Sequence, residues 1–497
     1  HSYASLSDVP AAVDLAVIIV RADIVQSVVE EGIAKGVKGF VVISAGFKEI
    51  GAEGAAREAS LRECVQKAGV MLIGPNCLGI INTEPSVSMN AAFGRKMPAA
   101  GNLAFLSQSG ALCTSVLDYA EERHMGFSKF VSFGNKADVN EVDLLEYLAH
   151  DERTSVIAMY LEDITDGRRF INQVREISWK TGKPMLCLKS GRSPEGAKAV
   201  SSHTGSLAGS DSVYDALLVQ SGVQRVDTIA ELFDYAALYT TQPLPRGNRV
   251  AIITNAGGPG IMATDVAVRY GLKLAEPSEA TKEKLRASLP ATASLRNPID
   301  VIGDARHDRY KAAVRTVLED DNVDMGVVIL TPQSMTDIEE TAAVVPEAVA
   351  GIDKPVVCAF MGAKDVAPGV DVLRRGGIPN YAFPEDAVRS LAAASRLVEL
   401  QEIPRRETPK LEGLRVEEAG ALIRKMLDGK DRRYLHQAEC RPLLDCYGLP
   451  LLRSEVAHNA EEAGRIAASI DGKVVLKVMS ADVVHKYDAG GVILGIE

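Results

Sequence analysis

Short apolar runs alternate with helix-like stretches along almost the whole chain, and this alternation constrains the fold more than any other feature. Leu15-Ala-Val-Ile-Ile-Val20, Gly39-Phe-Val-Val-Ile-Ser44, Leu103-Ala-Phe-Leu106, Val250-Ala-Ile-Ile-Thr254 and Met325-Gly-Val-Val-Ile-Leu330 are apolar at consecutive positions rather than at every second one. A strand apolar on both faces has to be covered on both faces, as happens when helical crossovers join parallel strands. The expected class is therefore α/β.

The 497 residues exceed what one hydrophobic core accommodates, so several domains are expected. Punctuated stretches at Met97-Pro-Ala-Ala-Gly101, Thr240-Thr-Gln-Pro-Leu-Pro-Arg-Gly-Asn248 and Gln401-Glu-Ile-Pro-Arg-Arg-Glu-Thr-Pro-Lys410 mark the borders. They divide the chain into residues 1–97, 98–242 and 243–405, a linker helix over 406–430, and 431–497. The two middle segments open alike, with Gly101-Asn-Leu-Ala-Phe-Leu-Ser-Gln-Ser-Gly110 in one and Gly247-Asn-Arg-Val-Ala-Ile-Ile-Thr-Asn-Ala-Gly-Gly258 in the other. In each, a buried strand meets a small polar turn and then a helix, which reads as two copies of one supersecondary unit. His1 precedes a loop with no earlier strand and Glu497 follows an apolar run, so both ends read as cut.

A net charge of −11 argues against a nucleic-acid or anionic-membrane binder, since such partners need a broad excess of Lys and Arg. Small anions remain open, because helix N-termini bind phosphate whatever the overall charge. The seven cysteines are odd in number and scattered, mostly in apolar runs, as expected of reduced core thiols. No signal peptide or membrane-length apolar run is visible, and a cytoplasmic protein is expected.

The chemistry centres on Ser201-Ser-His-Thr-Gly-Ser-Leu-Ala-Gly-Ser-Asp211, a loop of small residues with one histidine, His203. Such a loop brings an imidazole up to a bulky phosphate, and imidazole near its pKa accepts a phosphoryl group at physiological pH. Two strand-to-helix turns, Ser107, Gln108, Ser109 and Gly110 in one copy and Ala256, Gly257 and Gly258 in the other, would aim free N–H groups and helix dipoles at phosphate. Glu162, with Asp163 as its near alternative, follows a strand-like run and is suited to hold the imidazole in one tautomer. By pattern alone each of these also reads as a surface loop, an ordinary turn or a solvated strand end.

The runs Ser107-Gln-Ser-Gly110, Phe133-Gly-Asn-Lys-Ala-Asp-Val139, Tyr160-Leu-Glu162, Lys189-Ser-Gly-Arg-Ser193, Ser201-Ser-His-Thr-Gly205 and Asn297-Pro-Ile-Asp300, in that order, resemble the nucleotide-diphosphate-forming acyl-CoA synthetases, relatives of succinyl-CoA synthetase. The resemblance implies a partial Rossmann-like CoA-binding domain, two flavodoxin-like doubly wound domains and the start of an ATP-grasp domain. It implies that His203 is the phosphohistidine and Glu162 its orienting carboxylate. CoA-facing loops would carry Val20, Arg21, Ser44, Ala45, Gly46 and Asn76, with Arg21 where relatives usually have proline. In the last segment Lys477 would contact nucleotide phosphate and His485 would match a second, relaying histidine.

Such an enzyme would interconvert ATP, a short carboxylic acid (acetate by default) and CoA with ADP, phosphate and acyl-CoA. CoA and ATP/ADP would bind, Mg²⁺ would accompany the nucleotide at a site outside this chain, and the assembly would be a homo-oligomer. The rival reading is an acyl-CoA-sensing regulatory region of a protein lysine acetyltransferase, and a third is a CoA-binding scaffold without catalysis. The intact loop around His203 speaks for the enzyme.

Overall fold

A computed structural model describes residues 1–204, 210–403, 411–427, 435, 437–480, 483 and 486–496, with backbone alone for 201–204 and 437. The chain divides into two units, His1–Ile403 and Pro404–Glu497.

The first unit holds three sheets among the described residues. The first sheet is β1 (Leu15–Ile18), β2 (Gly39–Val42) and β3 (Met71–Ile73), parallel and in that order. Helices Ala22–Lys35 and Ala52–Ala68 cross between them and bury Val25, Val29, Leu61 and Val65 against Ile18, Phe40 and Val42. Both helices stop at a glycine in the left-handed region, Gly36 and Gly69, the usual way to close a helix C-terminus.

The second sheet takes β4 (Gly79–Asn82), β5 (Met89–Ala92), β6 (Ala100–Ser107), β7 (Phe127–Ser132), β8 (Val156–Leu161), β9 (Met185–Lys189) and β10 (Gln224–Val226) in the order β10-β9-β8-β6-β7-β4-β5. Strands β6 to β10 are parallel, and β4 runs antiparallel to both β7 and β5. The hairpin of β4 and β5, read from sequence with residues 1–97, thus hydrogen-bonds into the second sheet. Ile81 and Leu78, both buried, join the core of that sheet and hold the hairpin there.

The third sheet is β11 (Arg249–Thr254), β12 (Lys273–Leu274), β13 (Ile299–Asp300), β14 (Met325–Leu330) and β15 (Val356–Phe360), ordered β12-β11-β14-β15 with β13 also beside β11. All these pairings are parallel. Every residue of β14 and β15 is buried, which is why their sequences show no alternation.

One core runs through the second and third sheets. Phe105, Phe130 and Phe233 from one side meet Ile252, Met325 and Leu391 from the other, packed by helices Ile229–Thr241 and Pro384–Gln401. The Phe105 ring lies 5.2 Å from Phe130 and 5.9 Å from Phe233 between centroids, contacts worth about 0.5–1.5 kcal/mol each beyond area burial. Helices Gly110–Glu122 and Gly257–Arg269 bury their faces in this same core, through Cys113, Val116 and Ala120 in one and Ala263 and Ala267 in the other.

In the second unit, helix Val416–Leu427 packs against Gln437–Asp445, with Arg415 N–H donating to the Cys446 carbonyl and the Arg415 guanidinium paired with Asp445 at 2.6 Å. Strands β16 (Val474–Lys477) and β17 (Val492–Ile496) form an antiparallel pair. Among the described residues no helix is long and apolar enough to cross a membrane.

Candidate active site

The site grows from the carboxyl edge of the second sheet. At the end of β6 the Ser107 hydroxyl donates to the Ser109 carbonyl at 3.0 Å and accepts from the Ser109 N–H at 3.1 Å, and Ser109 caps the following helix through Leu112 N–H. Thr254 at the end of β11 makes the same pair of bonds to Ala256, at 2.9 and 3.0 Å. The repeat read in the sequence is therefore a repeat of geometry. In both copies the helix starts one residue later, at Gly110 and at Gly257, with N–H groups at the edge of the sheet.

The next residue locks each turn to the neighbouring strand. Gln108 is buried; its Oε1 accepts from the N–H groups of Glu162 (2.5 Å) and Asp163 (3.0 Å), and its Nε2 donates to Asp163 Oδ1 at 2.6 Å. Asn255 does the equivalent in the third sheet, accepting from the Thr331 N–H and donating to the Thr331 carbonyl, both at 2.9 Å. Ser107 pairs with Tyr160 and Thr254 with Ile329, so Thr331 stands where Glu162 does. Only the second sheet puts carboxylates at this junction.

A third segment closes the site. The turn after β7 places Gly134 in the left-handed region (φ 52°), where a Cβ would lie 2.3 Å from the carbonyl oxygens of Pro75 and Asn76. Asn135 then reaches the first domain: its Nδ2 donates to Glu49 at 2.7 Å and Glu58 at 2.8 Å, its Oδ1 accepts from Asn76, and its carbonyl accepts from Lys48. Burial works to raise the Glu49 carboxyl, but the Asn135 amide and the N–H groups of Gly46 and Phe47 outweigh it and hold it below the ordinary value. Glu58 goes the other way, since burial exceeds what Asn135 and Lys48 return. Lys136 turns back into the second domain and pairs with Asp163 at 2.7 Å and Glu141 at 3.1 Å.

Lys48, Asn76, Gln108, Gly134, Asn135, Glu162 and Asp163 line one small cavity of about 20 Å³, room for a single water-sized group. Of the residues expected to face CoA, Asn76 lines this cavity, and Val20, Ser44 and Asn76 are joined by hydrogen bonds at the strand ends of the first sheet. Ser44 Oγ accepts from the Val20 N–H at 3.0 Å and donates back to the Val20 carbonyl, and the Ser44 carbonyl accepts from Asn76 N–H at 3.0 Å. Gly46 follows in the left-handed region, its N–H bound by Glu49. Arg21 and Ala45 are exposed at the same strand ends, Arg21 paired with Asp23.

The family follows from comparison with known proteins. Residues 1–83 match the CoA binding domain, 100–239 the succinyl-CoA ligase like flavodoxin domain, 250–399 the ligase-CoA domain and 426–497 an ATP-grasp domain. The ADP-forming acetate–CoA ligase I of Archaeoglobus fulgidus is 44% identical over 494 residues, 99% of this chain and 70% of that protein. The chain belongs to the ADP-forming acetate–CoA ligase family. The ADP-forming 4-hydroxybutyrate–CoA ligase of Nitrosopumilus maritimus is 40% identical, with the same two shares covered. The solved dinucleotide forming acetyl-coenzyme A synthetase 1 of Ca. Korarchaeum cryptofilum, in complex with phosphate and ADP, superposes with a TM-score of 0.77 at 35% identity, covering 81% of this chain and 88% of that one.

In this member of the ligase family, His203 falls on the last turn of helix Pro194–Thr204, and its side chain lies outside the described residues. The sequence reading placed it in a loop. The helix forms because Ser193 caps it, Oγ accepting from Gly196 N–H, with Pro194 and Glu195 in the first turn. That helix leaves β9, the strand paired with β8, whose end delivers Glu162. Lys477 ends β16 in the second unit, and His485 lies outside the described residues. Gly134, Asn135, Lys136 and Lys48 were given no role by sequence reasoning, although the polar run after Phe133 was a readable signal. His307, also left without a role, makes a short contact through Nδ1 with Asp337. Among the described residues no group of three His, Cys, Asp or Glu side chains is placed to hold a metal ion.

Proposed function

We propose that the protein interconverts ATP, a short carboxylic acid and CoA with ADP, phosphate and acyl-CoA, by way of an acyl phosphate and a phosphohistidine at His203. The observation that carries the reading is the junction at Gln108, where the residue leading into the helix start at Gly110 shares one cavity with Glu162, Asp163 and Asn76. Family membership supports the same chemistry.

In the thioester-cleaving direction a phosphate oxygen attacks the acyl carbon, the C–S bond breaks and CoA leaves as thiolate. One imidazole nitrogen of His203 then attacks phosphorus, and the carboxylate leaves with the bridging oxygen. The imidazole of His485 takes the phosphoryl group as the N–P bond to His203 breaks, and a terminal oxygen of ADP then takes it from His485, with Lys477 at the nucleotide phosphate. Glu162 accepts a hydrogen bond from the N–H of the other imidazole nitrogen and so fixes the tautomer. The helix starts at Ser107–Gly110 and Ala256–Gly258 stabilise phosphate charge through N–H groups and dipoles, the main task in phosphoryl transfer. Val20, Arg21, Ser44, Ala45, Gly46 and Asn76 hold CoA, and Mg²⁺ enters with the nucleotide phosphates.

Acetate is the proposed acid, as in the name of the Archaeoglobus relative, with 4-hydroxybutyrate the nearest competitor. A cytoplasmic homo-oligomer is part of the same reading, and light scattering on the purified protein tests the assembly. Release of ADP beyond one equivalent per His203 is expected only with both CoA and an acid present, fastest with acetate in a panel of acids. AMP as product, or multiple-turnover ADP release without CoA, would refute the reaction.

A further inference from the structure

We propose that Lys136 is a positioning residue, whose buried ammonium fixes the Gln108–Asp163 junction and through it the attitude of Glu162. The inference rests on the reading of Glu162 as the carboxylate that orients His203.

The Lys136 side chain is 1% exposed, and its ammonium donates to the Asp163 carbonyl at 3.0 Å and forms ion pairs with Asp163 Oδ1 at 2.7 Å and Glu141 Oε2 at 3.1 Å. Burial pulls the ammonium's pKa down, but Glu141 and Asp163 outweigh it and leave it raised, so the group is charged throughout the physiological range. Asp163 Oδ1 thus receives two donors, Lys136 and Gln108 Nε2. That double acceptance decides which way the Gln108 amide faces. Its NH₂ must point at Asp163, leaving the oxygen for the N–H groups of Glu162 and Asp163. Through Asp163 and Gln108, Lys136 holds the peptide units on which Glu162 stands.

The third sheet shows that this charge is not needed to build the junction. There Asn255 and Thr331 close the same strand ends as neutral groups. Ser107 pairs with Ser132 and Thr254 with Asp300, so Asp304 stands at the position of Lys136, and it turns outward to Arg309. Both turns carry a left-handed residue at the second position after the strand, Gly134 and Ile302. The scaffold is common to both copies and the lysine belongs to the copy with the carboxylates. A buried ion triad is also a costly way to gain stability, which favours a role in fixing geometry.

The test is the rate at which the protein acquires acid-labile label from acetyl-CoA and labelled phosphate, a half-reaction that needs no nucleotide. Lys136→Met is expected to lower the maximal rate about 100-fold, the scale of a misplaced catalytic group, with KM for acetyl-CoA within about threefold of wild type. Lys136→Arg, which keeps the charge, should recover at least about a tenth of the rate, as partial rescue by a conservative change. If Lys136→Met fails to fold, the triple variant Lys136→Met/Glu141→Gln/Asp163→Asn leaves no unpaired buried charge and should show the same loss. A wild-type maximal rate in either variant, or a change confined to KM, would overturn the inference. The underlying reading has its own control: a wild-type rate in Glu162→Gln defeats that reading, while a slow Glu162→Gln beside a fast Lys136→Met defeats only the role of Lys136.

Discussion

Replacing Gln108 by leucine removes three hydrogen bonds at almost constant volume. The two backbone N–H groups of Glu162 and Asp163 lose their shared acceptor, at about 1–3 kcal/mol for each buried donor left unpaired. Asp163 keeps Lys136 as a donor, so its carboxylate is not stranded. The adjoining cavity of about 20 Å³ admits one water, which can satisfy one of the two N–H groups. The net cost is therefore that of one unpaired donor, about 1–3 kcal/mol, and it is local to the end of β8. Hydrogen exchange at the amides of Glu162 and Asp163 reads it directly: exchange should accelerate about 5- to 140-fold, at 1.4 kcal/mol per tenfold. Amides in the middle of β8, such as Ala158, should change little. Unchanged exchange at Glu162 and Asp163 would refute the view that Gln108 holds this strand end.

Gly134→Ala should lower the unfolding temperature markedly in calorimetry, since a left-handed alanine and a Cβ 2.3 Å from two carbonyl oxygens together cost about 3 kcal/mol or more. His307 should titrate above its ordinary value of 6.5, because its hydrogen bond to Asp337, followed by that carboxylate's charge, raises the imidazolium's pKa. The pair therefore stabilises the fold below about pH 6.5 and loses this contribution as pH rises through the raised value; NMR titration checks it, and Asp337→Asn should return the midpoint toward 6.5. Cys77, Cys113 and Cys187 are pushed up to about 12 by burial, so an alkylating reagent at pH 8 should modify the half-buried Cys64 and Cys440 first.

Much of this site could be read from the chain because its parts are local. Unbroken apolar runs marked β1, β2, β6, β11 and β14, and small polar residues after β6 and β11 marked the two helix starts. Glu162 stood out because a carboxylate ends an apolar run. What escaped depends on distant pairing. Lys136 and Asp163 are 27 residues apart, Asn135 and Glu58 are 77 apart, and no spacing rule connects them. The hairpin of β4 and β5 joins the second sheet by pairing with β7, a partnership that such short strands do not announce locally. The helix bearing His203 was local and missed, since Ser, His, Thr and Gly obscured the cap at Ser193 and Pro194.

The central claim is that His203 carries the phosphoryl group, and one measurement addresses it. Protein incubated with ATP labelled at the γ-phosphate should take up label that is lost in acid and kept in base, and that leaves on addition of acetate and CoA. His203→Ala should take up none. Acid-labile label of wild-type amount in His203→Ala would contradict the account.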